Sequence, residues 1–136
     1  MTIATSFPPH GRLMSKLTAI GPYLREKKSQ PQRFFFDCLA SCVNAEKAPE
    51  LREFWGWWLV MTATDSGYEY EYDFGRFNAA GEWANGKLPA KHKEAVLKTL
   101  VDFYSKLTPF VVGECELTLV PAVGLTQVPL AELSTH

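Results

Sequence analysis

The sequence predicts an α+β fold: a single domain in which an antiparallel β-sheet of about four to five strands carries helices packed on it. Three observations support that expectation. The stretch YEYEYDF sets Tyr68, Tyr70, Tyr72 and Phe74 against Glu69, Glu71 and Asp73 in alternation, a period-2 strand with one apolar and one acidic, solvated face. Residues 90–107 place Val96, Leu97, Leu100, Phe103, Tyr104 and Leu107 on one helical stripe. The run FFFDCLASCV is apolar on both parities, as a central strand covered on both faces is, and FWGWWLVMTAT reads as a second strand.

In chain order, GRLMSKLTAI puts Leu13, Leu17 and Ile20 at helical spacing, and Gly21-Pro22 stops that helix. The segment LREKKSQPQ reads as a polar, basic loop. In the run 34–43, Phe34, Phe36, Cys38, Ala40 and Cys42 share one parity, while Phe35, Asp37, Leu39 and Val43 share the other. NAEKAPELRE, with Pro49 and mixed charges, is an exposed connection. The second apolar run follows, then the tyrosine strand, a turn near Ala79 to Gly81 and a short strand ending at Trp83. Pro109 ends or kinks the second helix. ECELTLV alternates again, and Pro121 closes it as an edge strand. Residues 1–9 and about 122–136 are expected to be poorly ordered ends of a domain spanning 1–136.

A chain of 136 residues can close one hydrophobic core, and 46% hydrophobic with 21% charged residues is ordinary for a soluble protein. The net charge of −1 lacks the basic surplus that contact with a phosphate backbone normally needs. No apolar run reaches the roughly 20 residues that cross a bilayer, and MTIATSFPPHGR lacks the pattern of a secretory signal. Three cysteines make an odd set, and Cys38 and Cys42 lie about 13 Å apart at strand rise, too far to bond. A reduced, cytoplasmic protein is the simplest expectation.

Convergent reactive groups are scarce. His10, His92 and His136 fall in no pattern that pairs them with Cys or Ser, and Cys38, Cys42 and Cys115 lack metal-ligand spacing. Glu69, Glu71 and Asp73 are explained by a solvated strand face without any catalytic pairing. GEWANGK has neither the spacing nor the strand-to-helix setting of a phosphate loop. The expectation is therefore no enzyme, no metal and no cofactor.

REFWGWW packs three tryptophans and a phenylalanine into five residues, more ring surface than a core alone requires. In a regular strand Phe54 and Trp58 point one way and Trp55 and Trp57 the other, unless a bulge at Gly56 turns Phe54 and Trp57 together. Protein-binding hot spots favour Trp, Tyr and Arg, because rigid rings bury area at small entropic cost. Packing in the core is the competing explanation for each ring. A sheet that stacks the bases of a single-stranded nucleic acid is the alternative function, with Arg12, Lys16, Arg25, Lys27 and Lys28 as its charges. The acidic ladder opposes it.

RFFFDCLASCVN, with LTAIGPYLRE before it and APELREFWGWW after it, resembles the Crl family of bacterial sigma factor-binding proteins. The likeness runs from about His10 to Pro121. It implies a transcription activator that binds the general-stress sigma factor (sigma S, RpoS) on its second domain and promotes assembly with core RNA polymerase, touching its β′ subunit. It further implies a cytoplasmic monomer that does not bind DNA. The family's sigma-binding residues fall here on Tyr23, Arg52, Phe54, Trp57 and Trp83, beside a loop at 44–51 that resembles the family's mobile loop. Arg52 suits a charge-assisted bond to an acidic group, Phe54 and Trp57 an apolar patch, and Tyr23 a surface that is wet when free.

Overall fold

The computed structural model describes residues 8–133 apart from 22, 31, 45 and 126. Of the ends expected to be poorly ordered, 1–9 and about 122–136, residues 1–7 and 134–136 lie outside the described residues. Helix α1 (His10–Ile20) opens the fold, and the strands β1 (Arg33–Cys42), β2 (Phe54–Ala63), β3 (Gly67–Phe77) and β4 (Trp83–Asn85) form an antiparallel meander. Helix α2 (Ala90–Thr108) runs into a widened turn at Pro109–Glu114, and β5 (Thr118–Pro121) and a short helix α3 (Leu130–Leu133) follow. Single 3₁₀ turns lie at Glu26–Lys28 and Pro49–Leu51.

The sheet has five strands in a single α+β domain, as the sequence predicts, with one exception to its antiparallel pairing; β1, expected as a central strand covered on both faces, instead stands at the end of the strand order beside β2. β5 pairs parallel to the first half of β3, Gly67 opposite Thr118 and Tyr70 opposite Pro121, while β4 pairs with the far end of the same edge. Parallel neighbours cannot be joined by a tight turn, and the long stretch from β3 to β5, which contains β4 and α2, supplies the crossover that this pairing needs.

The tyrosine ladder behaves as its alternation predicts. Tyr68, Tyr70 and Tyr72 are buried on the face that receives the helices, opposite Ala63, Met61 and Leu59 of β2, while Glu71 is exposed on the other. On the same helix face stand Phe34 and Phe36 of β1 and Trp57, Leu59 and Met61 of β2. Val96, Leu100, Phe103 and Leu107 of α2 lie on them with no exposed surface, each burial worth about 1.5–3 kcal/mol. Leu13 and Leu17 of α1 close the same layer. Pro109 stops the regular helix at Thr108, and the wider turn that follows closes with the Cys115 N–H donating to the Phe110 carbonyl, five residues back.

The segment after Pro121 is laid against the tyrosine ladder rather than leading away from it. The Tyr72 hydroxyl donates to the Val128 carbonyl, the Tyr70 hydroxyl accepts the Leu130 N–H at 2.8 Å, and Leu130 is buried in the core. Burial raises the pKa of Tyr70, pushes Tyr68 up to about 12 and moves Tyr72 higher still. A phenol whose folded pKa stands above its unfolded value of about 10 contributes stability that is intact below pH 10 and lost as the pH rises further. Alkaline titration should therefore show the buried tyrosines ionising together with loss of the circular dichroism signal. Complete tyrosinate absorbance in a still-folded protein near pH 10 would contradict this placement.

Candidate functional site

α1, α2 and the C-terminal segment all pack on one side of the sheet, and the strand register defines what the other side carries. Its rows read Phe35–Val60–Glu71, Asp37–Trp58–Asp73, Leu39–Gly56–Gly75 and Cys42–Phe54–Phe77–Trp83 across the strands. Phe35, Phe54, Trp58, Phe77 and Trp83 are half-buried there and Leu39 is 38% exposed. Phe35 and Trp58 stack, centroids 6.5 Å apart and planes 9° apart, with the Lys28 ammonium 4.9 Å from the Phe35 ring.

Gly56 and Gly75 sit side by side in one row, and that gap explains how Trp83 crosses the sheet. A Cβ on Gly56 would lie 3.2 Å from the Trp83 ring. Over this bare backbone the indole reaches from β4 to β1, where its Nε1–H donates to Asp37 Oδ2 at 3.2 Å. Arg25 bonds the other carboxylate oxygen, Oδ1, so Asp37 is only 4% exposed although it stands on the open side. Asp37 is a site residue that its lone charge within an apolar run signals. Its two partners come from segments 12 and 46 residues away, which the sequence does not disclose.

The second apolar run is regular through Gly56; the irregularity lies instead in β1, between Leu39 and Ser41. Phe54 and Trp57 therefore stay on opposite faces, and the bulge expected as one option at Gly56 does not occur. The bulge at Ala40 also breaks the parity predicted for β1. Ser41 now faces the helices opposite Trp55, and Cys42 joins Phe54 on the open side.

Residues 43–53 link β1 to β2 along this edge. The Val43 N–H donates to the Glu53 carbonyl at 2.8 Å, closing the base of the loop, and Arg52 Nε donates to the Lys47 carbonyl at 2.9 Å. Arg76 bonds Glu53 Oε1, which holds the Glu53 carboxyl below the usual carboxylate range, and its guanidinium lies 5.9 Å from the Trp55 ring.

The five residues predicted for partner binding thus divide. Phe54 and Trp83 share the open face with Phe77 between them, the Phe77 and Trp83 rings 5.2 Å apart, and Arg52 stands in the loop immediately before Phe54. Trp57 lies in the core at 0% exposure, its Nε1–H donating to Thr99 Oγ1 at 3.0 Å. It presents no surface to a partner in this conformation. Tyr23 is half-buried on the helix side, 5.5 Å from Trp57 and 5.4 Å from Phe103, and its carbonyl accepts the Asp37 N–H. Gly21 leaves it room, since a Cβ there would fall 2.6 Å from the Tyr23 ring. Phe35 and Trp58 complete the open face, and strand parity with Phe54 is the signal that finds Trp58.

Burial raises the pKa of Cys38 and Cys115, which keeps both as thiols rather than nucleophilic thiolates. Among the described residues no three His, Cys, Asp or Glu side chains come together as metal ligands. No helix among them is long and apolar enough to cross a membrane. What the face offers is half-buried ring surface with the Arg52 guanidinium at its rim, suited to grip a polypeptide.

Comparison with known proteins agrees. The family model described as "Sigma factor-binding transcriptional regulator Crl" matches residues 1–129. The sigma factor-binding protein Crl of Photobacterium profundum is 65% identical over 130 residues, which cover 96% of this chain and 98% of that one. The proteins of the same name from Vibrio vulnificus and Vibrio cholerae are 43% and 44% identical over 107 residues, covering 79% of this chain and 83% of each of theirs.

Proposed function

The chain belongs to the Crl family of sigma factor-binding transcriptional regulators, and we propose that it binds sigma S through the open face of its sheet and promotes association of that sigma factor with core RNA polymerase. The observation that carries this reading is the aromatic face left bare by the helices, with Phe54 and Trp83 on it and Arg52 at its rim. In this reading Arg52, Phe54 and Trp83 touch the second domain of sigma S. Tyr23 and Trp57 belong to the same site from behind, holding β1 and β2 in place. The protein acts as a cytoplasmic monomer, without cofactor and without contacting DNA, and a second contact to the β′ subunit tethers sigma to core. Joining two partners in this way needs a coupling of only about 1–3 kcal/mol, roughly a 5- to 150-fold gain in their mutual affinity.

Calorimetric titration against purified sigma S and, separately, the housekeeping sigma factor tests this directly. One-to-one heat with sigma S alone is the expected result; no heat with either ends the proposal. Arg52→Ala is expected to weaken sigma S binding about tenfold or more, near 1.4 kcal/mol, at an unchanged melting temperature. Normal binding by that variant would remove Arg52 from the site.

The single-stranded nucleic-acid alternative draws on Lys28 above Phe35 and the stacked Phe35–Trp58 pair. The same face carries Glu71 opposite Val60 and Asp73 opposite Trp58, and those carboxylates repel a phosphate chain. Binding that falls steeply with salt would revive it.

A further inference from the structure

We propose that His92 is a positioning residue: through Ser41 it sets the direction in which the 43–53 loop, and with it Arg52, leaves the sheet. The inference rests on the sigma-binding reading only for its functional consequence. His92 is a buried polar side chain, 7% exposed, in the first turn of α2, and its Nδ1 lies 2.6 Å from Ser41 Oγ. That contact exists because of the bulge at Ala40, which rotates Ser41 to the helix side directly opposite Trp55. The His92 ring also packs against Trp55, centroids 6.4 Å apart.

One imidazole therefore touches both roots of the loop. Ser41 is two residues before its outgoing end at Val43, and Trp55 is two residues after its return at Glu53. Arg76 also lies 5.9 Å from the Trp55 ring and bonds Glu53, so the returning root has contacts from both α2 and β3. The outgoing root has the His92 bond and the Val43 to Glu53 backbone bond. A bulge adds local twist and re-aims the chain that follows it. Fixing the bulged residue by a side-chain bond to a helix selects one such aim, and a fixed aim spares the loop an ordering cost when a partner docks.

The test compares Ser41→Ala, His92→Phe, their double variant and His92→Asn, whose amide can occupy the position of Nδ1. The readouts are the backbone amide resonances of residues 46–48 and 50–52 in the free protein, the melting temperature, and calorimetric affinity for sigma S. Ser41→Ala and His92→Phe should each displace the loop resonances and weaken binding about fivefold, and the double variant should be no worse than either single one. His92→Asn should restore both the resonances and most of the affinity, which a purely volume-filling role would not allow. Loop resonances left in place by Ser41→Ala, or a failure of His92→Asn to restore them, would overturn the proposal. Should His92→Phe not fold, Ser41→Ala and His92→Asn still decide it. If the wild-type protein binds no sigma S, the functional reading fails, and the resonances alone settle whether His92 orients the loop.

Discussion

Gly56→Ala is expected to be among the most damaging single-methyl changes in this protein. A Cβ at that position would lie 1.9 Å from the Cys38 carbonyl oxygen, a backbone atom of the neighbouring strand, and 3.2 Å from the Trp83 ring. Neither is the free end of a flexible side chain, so β1 and β2 must separate or Trp83 must lift from Asp37. Overpacking of this kind costs about 1–3 kcal/mol, and backbone displacement takes it to the upper end or beyond. Alanine recovers only about 0.4–1 kcal/mol by restricting the unfolded chain, so the steric loss wins. Urea unfolding should show a midpoint shifted by roughly 3 kcal/mol of stability. Gly11→Ala, in α1 with nothing within 4 Å of the added methyl, is the control and should stabilise by up to about 1 kcal/mol. Equal midpoints for Gly56→Ala and wild type would mean that the close approach of β1 and β2 is wrong.

The glycine row also marks where sequence reading stops. Strand parity correctly separates Phe54 and Trp58 from Trp55 and Trp57, and the tyrosine alternation correctly identifies which side of β3 is core, because both depend only on period 2. The juxtaposition of Gly56 with Gly75 depends on the register of two strands, and the reach of Trp83 to Asp37 depends on that row being bare. Neither is a property of any one segment. The bulge at Ala40 carries no glycine or proline to announce it, yet it moves Ser41 and Cys42 to opposite faces from those their spacing gives. The parallel pairing of β5 and the seating of Leu130 under the tyrosines are long-range outcomes as well.

The five residues that the family resemblance implies for partner binding stand in two physical situations in the fold. Arg52, Phe54 and Trp83 stand where a partner can reach them, while Trp57 is sealed between Tyr23, Phe103 and Thr99. Loss of binding on substitution therefore has two distinct causes, contact and support. Stability measured beside affinity separates them: a contact residue lowers affinity alone, and a supporting residue lowers both.

Trp57 gives the sharpest case. Trp57→Ala removes a side chain with no exposed surface from the centre of the core, and such truncations cost about 3–5 kcal/mol. Against a total stability of about 5–15 kcal/mol for a domain, that brings the protein close to unfolding. Its binding to sigma S should disappear for that reason, in step with a collapse of the thermal transition. Trp57→Phe is the informative partner. A phenylalanine keeps a ring against Phe103 and Tyr23 and gives up the Nε1–H bond, but Thr99 Oγ1 still donates to the Val96 carbonyl, so no buried hydroxyl is orphaned. The expected loss is a smaller one, about 1–2 kcal/mol. Affinity for sigma S measured well below the melting temperature should then stay within about threefold of wild type, near 0.65 kcal/mol. Full loss of affinity in a folded Trp57→Phe protein would instead require the indole to reach the partner. That would mean β2 or α2 moves on binding, because the indole has no path to the surface in the free protein.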